Sequence, residues 1–344
     1  MTATNSTKMP SKPIVSYFQR KIIPGTTFSL EFMFENLRWN LRDRIDARVH
    51  FSSVNSRGVL PRIRIAADAA ARQGDINHVA GDIHFATAFL RREKSILTIL
   101  DTGTLERLHG IKKQLFKFFW YTLPIRQSAF VTTISNYSKV QIQQAVGTRF
   151  EIHVIPVPIS DAFQFKHKPF DAACPRILIV GTLPNKNVDR VMEAVAGISC
   201  KLHIVGRLSS VQIDRMHELK IDYVNYVNLP VAKMVENYEL CDILAFCSTY
   251  EGFGMPIVEA NSVGRVVITS NVCSMPEVAT NAACLVDPTS VEDIRNGILR
   301  LIRDRSYREQ LIENGFKNAT RFQPDEIANG FWSIYSNILR RNQT

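Results

Sequence analysis

Between Arg176 and Ser270 the sequence alternates short runs rich in β-branched residues with longer stretches of helical period, and this alternation constrains the fold more than any other feature. Arg176–Gly181 (RILIVG), Lys201–Gly206 (KLHIVG), Asp222–Val227, Asp242–Cys247 and Arg265–Ser270 have the length and composition of buried strands. The intervening segments space their apolar residues three and four apart. Asn187–Ile198 does so at Val188, Val191, Met192, Val195 and Ala196, and Ser209 opens a further helix that runs through Met216. Strands that alternate with helices form a parallel sheet covered on both faces, whose ligands lie beyond the carboxyl ends of the strands. Chemistry is therefore expected in the loops that leave these strands.

The first half reads the same way with weaker punctuation. Pro13–Phe18, Ala47–Phe51, Asp75–Val79, Ser95–Leu100 and Ala129–Ile134 are expected as strands, and Phe28–Leu41 and Leu105–Leu123 as helices. At 344 residues the chain exceeds the size at which one core stops growing. Pro156–Pro175, with four prolines and the mixed run Phe163-Gln-Phe-Lys-His-Lys-Pro169, reads as the linker. The expected organisation is an N-terminal domain over 1–165, a C-terminal domain over 166–325, and a last helix over 326–344 returning toward the first domain. Two α/β halves so joined would leave a cleft between them.

No run approaches the roughly 18 consecutive apolar residues of a membrane span, and the first residues, MTATNSTKMPSKP, lack the apolar segment of a signal peptide. All six cysteines fall between Cys174 and Cys284, without CxxC or His-paired spacing, and are read as reduced core residues. The expected compartment is the cytoplasm. A net charge of +10 attracts polyanions of any kind: nucleic acid, an anionic membrane surface and a diphosphate-bearing substrate all satisfy it. No recognised nucleic-acid module is present, which makes nucleic acid the weakest of the three.

The most informative stretch is Tyr250-Glu-Gly-Phe-Gly-Met-Pro-Ile-Val-Glu-Ala260, directly after the run DILAFC. Gly252 and Gly254 allow tight backbone and close approach to a ligand, and Pro256 suits an early helix position because its missing N–H has no partner there. A helix N-terminus at this point offers N–H groups and the positive end of the macrodipole, which suit a diphosphate. Glu251 before the helix and Glu259 inside it are acceptors for sugar or ribose hydroxyls.

These residues, together with Gly181-Thr-Leu-Pro-Asn-Lys-Asn187, Ile204-Val-Gly-Arg207, Val272-Cys-Ser-Met-Pro-Glu277, Leu285-Val-Asp-Pro288 and Arg321-Phe322, resemble the retaining GT-B glycosyltransferases of family 4 (glycosyl transferases group 1). The resemblance covers roughly residues 150 to 340. It implies two Rossmann-like domains facing each other across a cleft, and a nucleotide-diphosphate sugar donor, UDP- or GDP-linked, used without metal. It also implies a glycan or lipid-linked acceptor, with peripheral contact to an anionic membrane as an option. Carried over residue by residue, Lys186 corresponds to the donor-phosphate lysine and Glu259 to the glutamate on the ribose. Glu251 corresponds to the acidic residue facing the transferred sugar, and Gly181, Gly252, Phe253 and Gly254 to phosphate-holding backbone. Thr182 stands where relatives carry arginine, so Arg207 is expected to supply that charge.

In the first half, Pro24-Gly25-Thr-Thr-Phe-Ser-Leu-Glu31 is similar to the family's glycine-containing loop and helix start. Asn77–His84 and Ser95–Asp101 are similar to its acceptor-side segments. Leu100 stands where many relatives have a histidine. Asp101 and His84 are then the candidates to orient the acceptor; Asp82 as a helix cap and His84 as a satisfied core histidine remain open. His109–Arg126 reads as an amphipathic helix packed on its own domain, with a membrane-surface helix as the alternative. The function implied is transfer of a hexose or N-acetylhexosamine in cell-surface polysaccharide or glycolipid synthesis. An inactive nucleotide-sugar-binding subunit and a nucleotide-sugar epimerase are its rivals.

Overall fold

The computed structural model describes residues 12–21, 29–52, 54, 56, 58–106, 108–147 and 150–342. The chain divides into two compact units, one of Met1–Thr132, Ile142–His153 and Ala328–Thr344, the other of Thr133–Gln141 and Val154–Ile327.

The first unit is built on β1 (Ile14–Gln19), β2 (Asp46–Phe51), β3 (Ile76–Ala80), β4 (Ser95–Ile99), β5 (Phe130–Thr133) and β6 (Ile152–Val154), in the order β2-β1-β3-β4-β5-β6. β1 pairs in parallel with β2 and β3, and β3 with β4. The central strands are buried along their whole length because helices cover both faces. This hides polar atoms that must then bond one another. His78 does so on both ring nitrogens, Nδ1 to Tyr335 Oη and Nε2 to Thr98 Oγ1, each at 2.7 Å. Tyr335 donates on to Tyr17 at 3.0 Å, and Thr98 meets Thr132 at 2.7 Å. One fully buried network thus ties the last helix, Pro324–Arg341, to four strands.

The expected single helix over Leu105–Leu123 is instead broken. Gly103–Glu106 and Gly110–Lys117 are separate helices, and the second runs into a π-helical turn, Phe118–Thr122, and a last turn, Leu123–Arg126. His109 is extended and Gly110 is left-handed at φ +59°, so helical hydrogen bonding restarts there. Nor does the segment bury its apolar stripe: no residue of Gly110–Lys117 is buried, and Ile111, Leu115, Phe118 and Phe119 face solvent.

The second unit carries β7 (Arg176–Val180), β8 (Lys201–Val205), β9 (Asp222–Tyr226), β10 (Ile243–Phe246), β11 (Val266–Ser270) and β12 (Cys284–Val286), in the order β12-β11-β10-β7-β8-β9. Every neighbouring pair is parallel, with Ile177 of β7 set between Leu202 and Ile243. The helices Val188–Val195, Ser210–Glu218 and Val291–Arg303 lay buried faces on this sheet. Ser209 caps its helix with a complete capping box. Residues 155–175 form neither helix nor strand, yet they are anchored on this unit. Ile159 N–H donates to Phe322 O at 2.8 Å, Ser262 to Phe163 O at 2.6 Å, and the Phe163 ring meets Tyr238 edge-on. The cysteines are all free, but the core reading holds only for Cys200, Cys241, Cys247 and Cys284; Cys273 is half-buried and Cys174 exposed.

Candidate functional site

In the second sheet the strand order reverses between β7 and β10, so their connections leave in opposite directions and open a crevice at their carboxyl ends. The loop after β7 carries Gly181–Asn187 and the loop after β10 carries Tyr250–Gly254. They meet in an ion pair, Lys186 Nζ to Glu251 Oε1 at 2.7 Å, whose side chains are only 19% and 15% exposed. Asn185 reinforces it, donating to Tyr250 O at 3.0 Å and accepting from Thr249 N–H at 2.8 Å. The ammonium also lies 4.7 Å from the Phe246 ring centroid.

Local backbone explains why these residue types occupy these positions. Gly181 is left-handed at φ +90°, a conformation that disfavours any other residue, and a Cβ there would fall 2.9 Å from Lys186 Cε and push the lysine aside. Asn187, also left-handed, donates to Cys247 O and Pro288 O and thereby fixes the start of the following helix. Gly254 at φ +119° precedes the helix Met255–Val263, which has Pro256 in its first turn and no side-chain cap. The three carbonyls before it are tied to hydroxyls: Glu251 O and Phe253 O to Ser274 at 2.9 and 2.6 Å, and Gly252 O to Ser135 at 2.7 Å. A loop whose carbonyls are held this way can present its N–H groups to an anion without reorganising.

Glu259 takes a hydrogen bond from Tyr238 Oη at 2.5 Å. Burial pushes its carboxyl up to about 7; the tyrosine bond and the Lys186 charge oppose that shift without cancelling it. Arg207 is exposed, and its carbonyl accepts from Thr182 Oγ1 at 2.7 Å. Thr182, Arg207, Ser209, Gln212 and Arg215 line one cavity of about 650 Å³. The second unit thus brings Lys186 against Glu251 and Gly181, with Gly252, Phe253 and Gly254 following Glu251 in the same loop; the Phe253 ring packs on Phe322, Glu259 bonds Tyr238, and Arg207 lies on the cavity beside the β7 loop.

His84 and Asp101 lie in the first unit, after β3 and β4. The His84 ring is buried, its Nδ1 bonding Trp120 O at 2.8 Å and its face meeting Tyr121 edge-on. Burial lowers its pKa. Asp101 is exposed and accepts from Gly103 N–H at 2.9 Å, while its carbonyl takes the Tyr121 hydroxyl at 3.2 Å. Tyr121 therefore links the two. Asp82 pairs with Arg20 at 3.0 Å rather than capping a helix through its side chain. Leu100 follows the last residue of β4 and is half-buried. Pro24–Phe28 of the glycine-containing loop lies outside the described residues.

Sequence reasoning missed Tyr238, Asn185, Ser274 and Ser135. Asn185 and Ser274 fall inside motifs quoted above without a role being read for them, and Tyr238 and Ser135 fall in none; each acts through a partner distant in sequence. Among the described residues no group of three or more His, Cys, Asp or Glu is placed to hold a metal ion.

Comparison with known proteins bears on the family and the fold. Residues 161–318 match the family model Glycosyl transferases group 1. O-antigen chain mannosyltransferase B of Escherichia coli is 39% identical over 102 residues, 30% of this chain and 26% of that protein. The chain spans about a quarter or less of the length of the Escherichia coli mannosyltransferases it matches. The MMP alpha-(1->4)-mannosyltransferase of Mycolicibacterium hassiacum is 26% identical over 322 residues, 81% of this chain and 75% of that protein. Anabaena HepE, solved in complex with UDP and glucose, superposes with a TM-score of 0.73 at 18% identity, covering 94% of this chain and all of its own. The two parallel six-stranded sheets are those of the GT-B fold. The matched domain and the named relatives support a glycosyltransferase.

Proposed function

We propose that this chain is a retaining glycosyltransferase of family 4 that moves a hexose or N-acetylhexosamine from a nucleotide-diphosphate sugar to an acceptor hydroxyl. The observation that carries the proposal is the Lys186–Glu251 pair at the switch point, beside the glycine turn whose carbonyls are tied back. In the proposed complex Lys186 exchanges Glu251 for the donor diphosphate, the amides of Gly252–Gly254 hold the same phosphates, Glu259 accepts from the ribose, and the released Glu251 turns to the sugar. Arg207 supplies the charge that Thr182 does not. The acceptor oxygen bonds to the anomeric carbon as the bond to the diphosphate oxygen breaks. Its proton passes to a donor phosphate oxygen, and the nucleoside diphosphate leaves. Lys186 and the helix N-terminus stabilise the growing negative charge, so the transfer needs no metal. His84 and Asp101 orient the acceptor.

Several of the relatives are named as mannosyltransferases, and one as an alpha-1,3-N-acetylgalactosaminyltransferase acting on a diphospho-undecaprenol intermediate, which suits a glycan or lipid-linked acceptor at the cytoplasmic face of an anionic membrane. A panel of UDP- and GDP-sugars tested by thermal shift and then by turnover decides the proposal. A donor that raises Tm and is consumed in the presence of acceptor and EDTA is the expected result. Binding without turnover for every acceptor would leave an inactive nucleotide-sugar-binding subunit, and turnover lost to EDTA and restored by Mg²⁺ would end the metal-free mechanism.

A further inference from the structure

The Gly252 carbonyl is held by a stretch of chain 117 residues earlier. Ser135 donates to it at 2.7 Å and Ser138 at 3.2 Å, and both serines are buried. Between them the Tyr137 ring meets Tyr250 edge-on at 6.2 Å. Ser135, Tyr137 and Ser138 thus all reach the loop that carries Glu251–Gly254, and they belong to the second unit with it.

These residues open the helix Asn136–Val146, whose first three amides are all satisfied. Ser138 N–H donates to Ser135 Oγ at 3.0 Å. The other two go to a carboxylate from far along the chain: Asn136 N–H donates to Glu277 Oε1 at 2.7 Å and Tyr137 N–H to Glu277 Oε2 at 3.1 Å. The Asn136 side-chain amide adds a third bond to Oε1 at 2.9 Å. An ionised carboxylate here also gains from the helix dipole. Both Glu277 oxygens are therefore committed to the helix start, and they fix the direction from which Ser135 and Ser138 reach Gly252 O.

Glu277 is itself anchored. Its helix, Met275–Ala279, is tied by the buried Asn318, whose side-chain amide donates to Val278 O at 2.8 Å and to Asn261 Oδ1 at 2.9 Å. Asn261 lies in Met255–Val263, the helix that follows the glycine turn. Ser274, just before Met275, holds Glu251 O and Phe253 O. The loop carbonyls at 251 and 253 are thus held from one support and that at 252 from another, and Glu277 joins the two supports.

We infer that Glu277 is a positioning residue of this loop: it seats the start of Asn136–Val146 so that Ser135 and Ser138 keep the Gly252 carbonyl tied back and leave the Gly252–Gly254 amides to the donor phosphates. The inference rests on the proposed donor reading and names a residue on which that geometry depends.

Two measurements on the whole chain test it: titration with UDP and with GDP, and hydrogen–deuterium exchange of the peptide covering Tyr250–Gly254 without ligand. Glu277→Ala should speed exchange in that peptide and weaken nucleotide binding by about 10-fold. Glu277→Gln should recover most of both, because its carbonyl still accepts from Asn136 and only the bond from Tyr137 N–H is lost. Ser135→Ala combined with Ser138→Ala should reproduce the loss with Glu277 intact, and it decides the matter if Glu277→Ala fails to fold. A cap that only stabilises would lower Tm and leave exchange at Tyr250–Gly254 as in the wild type. That result in either folded variant overturns the inference, as does faster exchange with nucleotide affinity unchanged. Faster exchange in variants of a chain that binds neither UDP nor GDP keeps Glu277 as the support of the loop and sinks the donor reading instead.

Discussion

The two units solve the same topological problem with opposite materials. In the second, the loops leaving β7 and β10 are bound by a charge pair, Lys186 to Glu251, and by hydroxyls that hold loop carbonyls. In the first, the corresponding strand ends lead into aromatic packing: His84 against Tyr121, Phe85 on Trp120, and below them the neutral chain through His78, Tyr335 and Tyr17. A charged, pre-tied loop suits an anionic ligand of fixed geometry. Buried neutral networks and rings fix a shape, and they leave specificity to whatever lines it.

The comparison breaks first at Glu251. If the second unit carries the chemistry, Glu251→Ala should lower transfer by about 100-fold or more, the scale of a lost transition-state contact. It should also let free nucleoside diphosphate bind as tightly as before or more so, because Lys186 loses its internal competitor. Parallel loss of binding and turnover would show that the carboxylate builds the site and does not serve the sugar.

The next effect belongs to the first unit. His78→Ala leaves a cavity and strips partners from Tyr335 and Thr98, which should cost about 3 kcal/mol. All three tryptophans, Trp39, Trp120 and Trp332, lie in this unit, so their fluorescence in a urea titration reports it directly. Nucleotide affinity of the folded variant should not change. A matching loss of affinity would mean that the division of labour is false.

Tyr238→Phe probes the second unit more gently. Without the phenol, Glu259 keeps its burial and loses its donor, a cost of about 1–2 kcal/mol, and nucleotide affinity should fall several-fold. Affinity unmoved in the folded variant would detach Glu259 from the nucleotide.

These residues also show what the sequence could reveal. The strands of the second unit were legible because buried parallel strands are continuous apolar runs, and the crevice because Gly252, Gly254 and Pro256 encode backbone conformations in their own chemistry. Lys186 and Glu251 were each legible as candidates, but their mutual pairing was not, since 65 residues separate them. The break at Gly110 was hidden by a pattern that stays amphipathic across it, and β12, only three residues long, overlaps a motif, Leu285–Pro288, read only for its resemblance. Hydrophobic period reports which faces are apolar; it does not say whether a face finds a partner, which is why Ile111, Leu115, Phe118 and Phe119 were read as packed and stand exposed.

The smallest effect separates the units by sign. Burial lowers His78 to about 3 and also lowers His84 and His50, so the unfolded first unit binds protons that the folded one refuses. Stability then rises with pH wherever the unfolded state holds more protons, and it is lost as pH falls below about 6.5. Between pH 6.5 and 5.5, His78 alone accounts for about 1 kcal/mol. In the second unit Glu259, raised to about 7, reverses the sign: the folded state holds the extra proton, so acidification through the same window stabilises by a similar amount, offset by the lowered His203. Each unit carries its own reporter, since the tryptophans lie in the first and the buried cysteines Cys200, Cys241, Cys247 and Cys284 in the second. Urea titrations at pH 6.5 and 5.5, read by tryptophan fluorescence and by a brief alkylation pulse at one fixed pH, should show the first midpoint fall while the second holds or rises. Glu259→Gln should abolish the rise. Midpoints that fall together in both readings would show that the pH response does not divide between the units as the buried groups require.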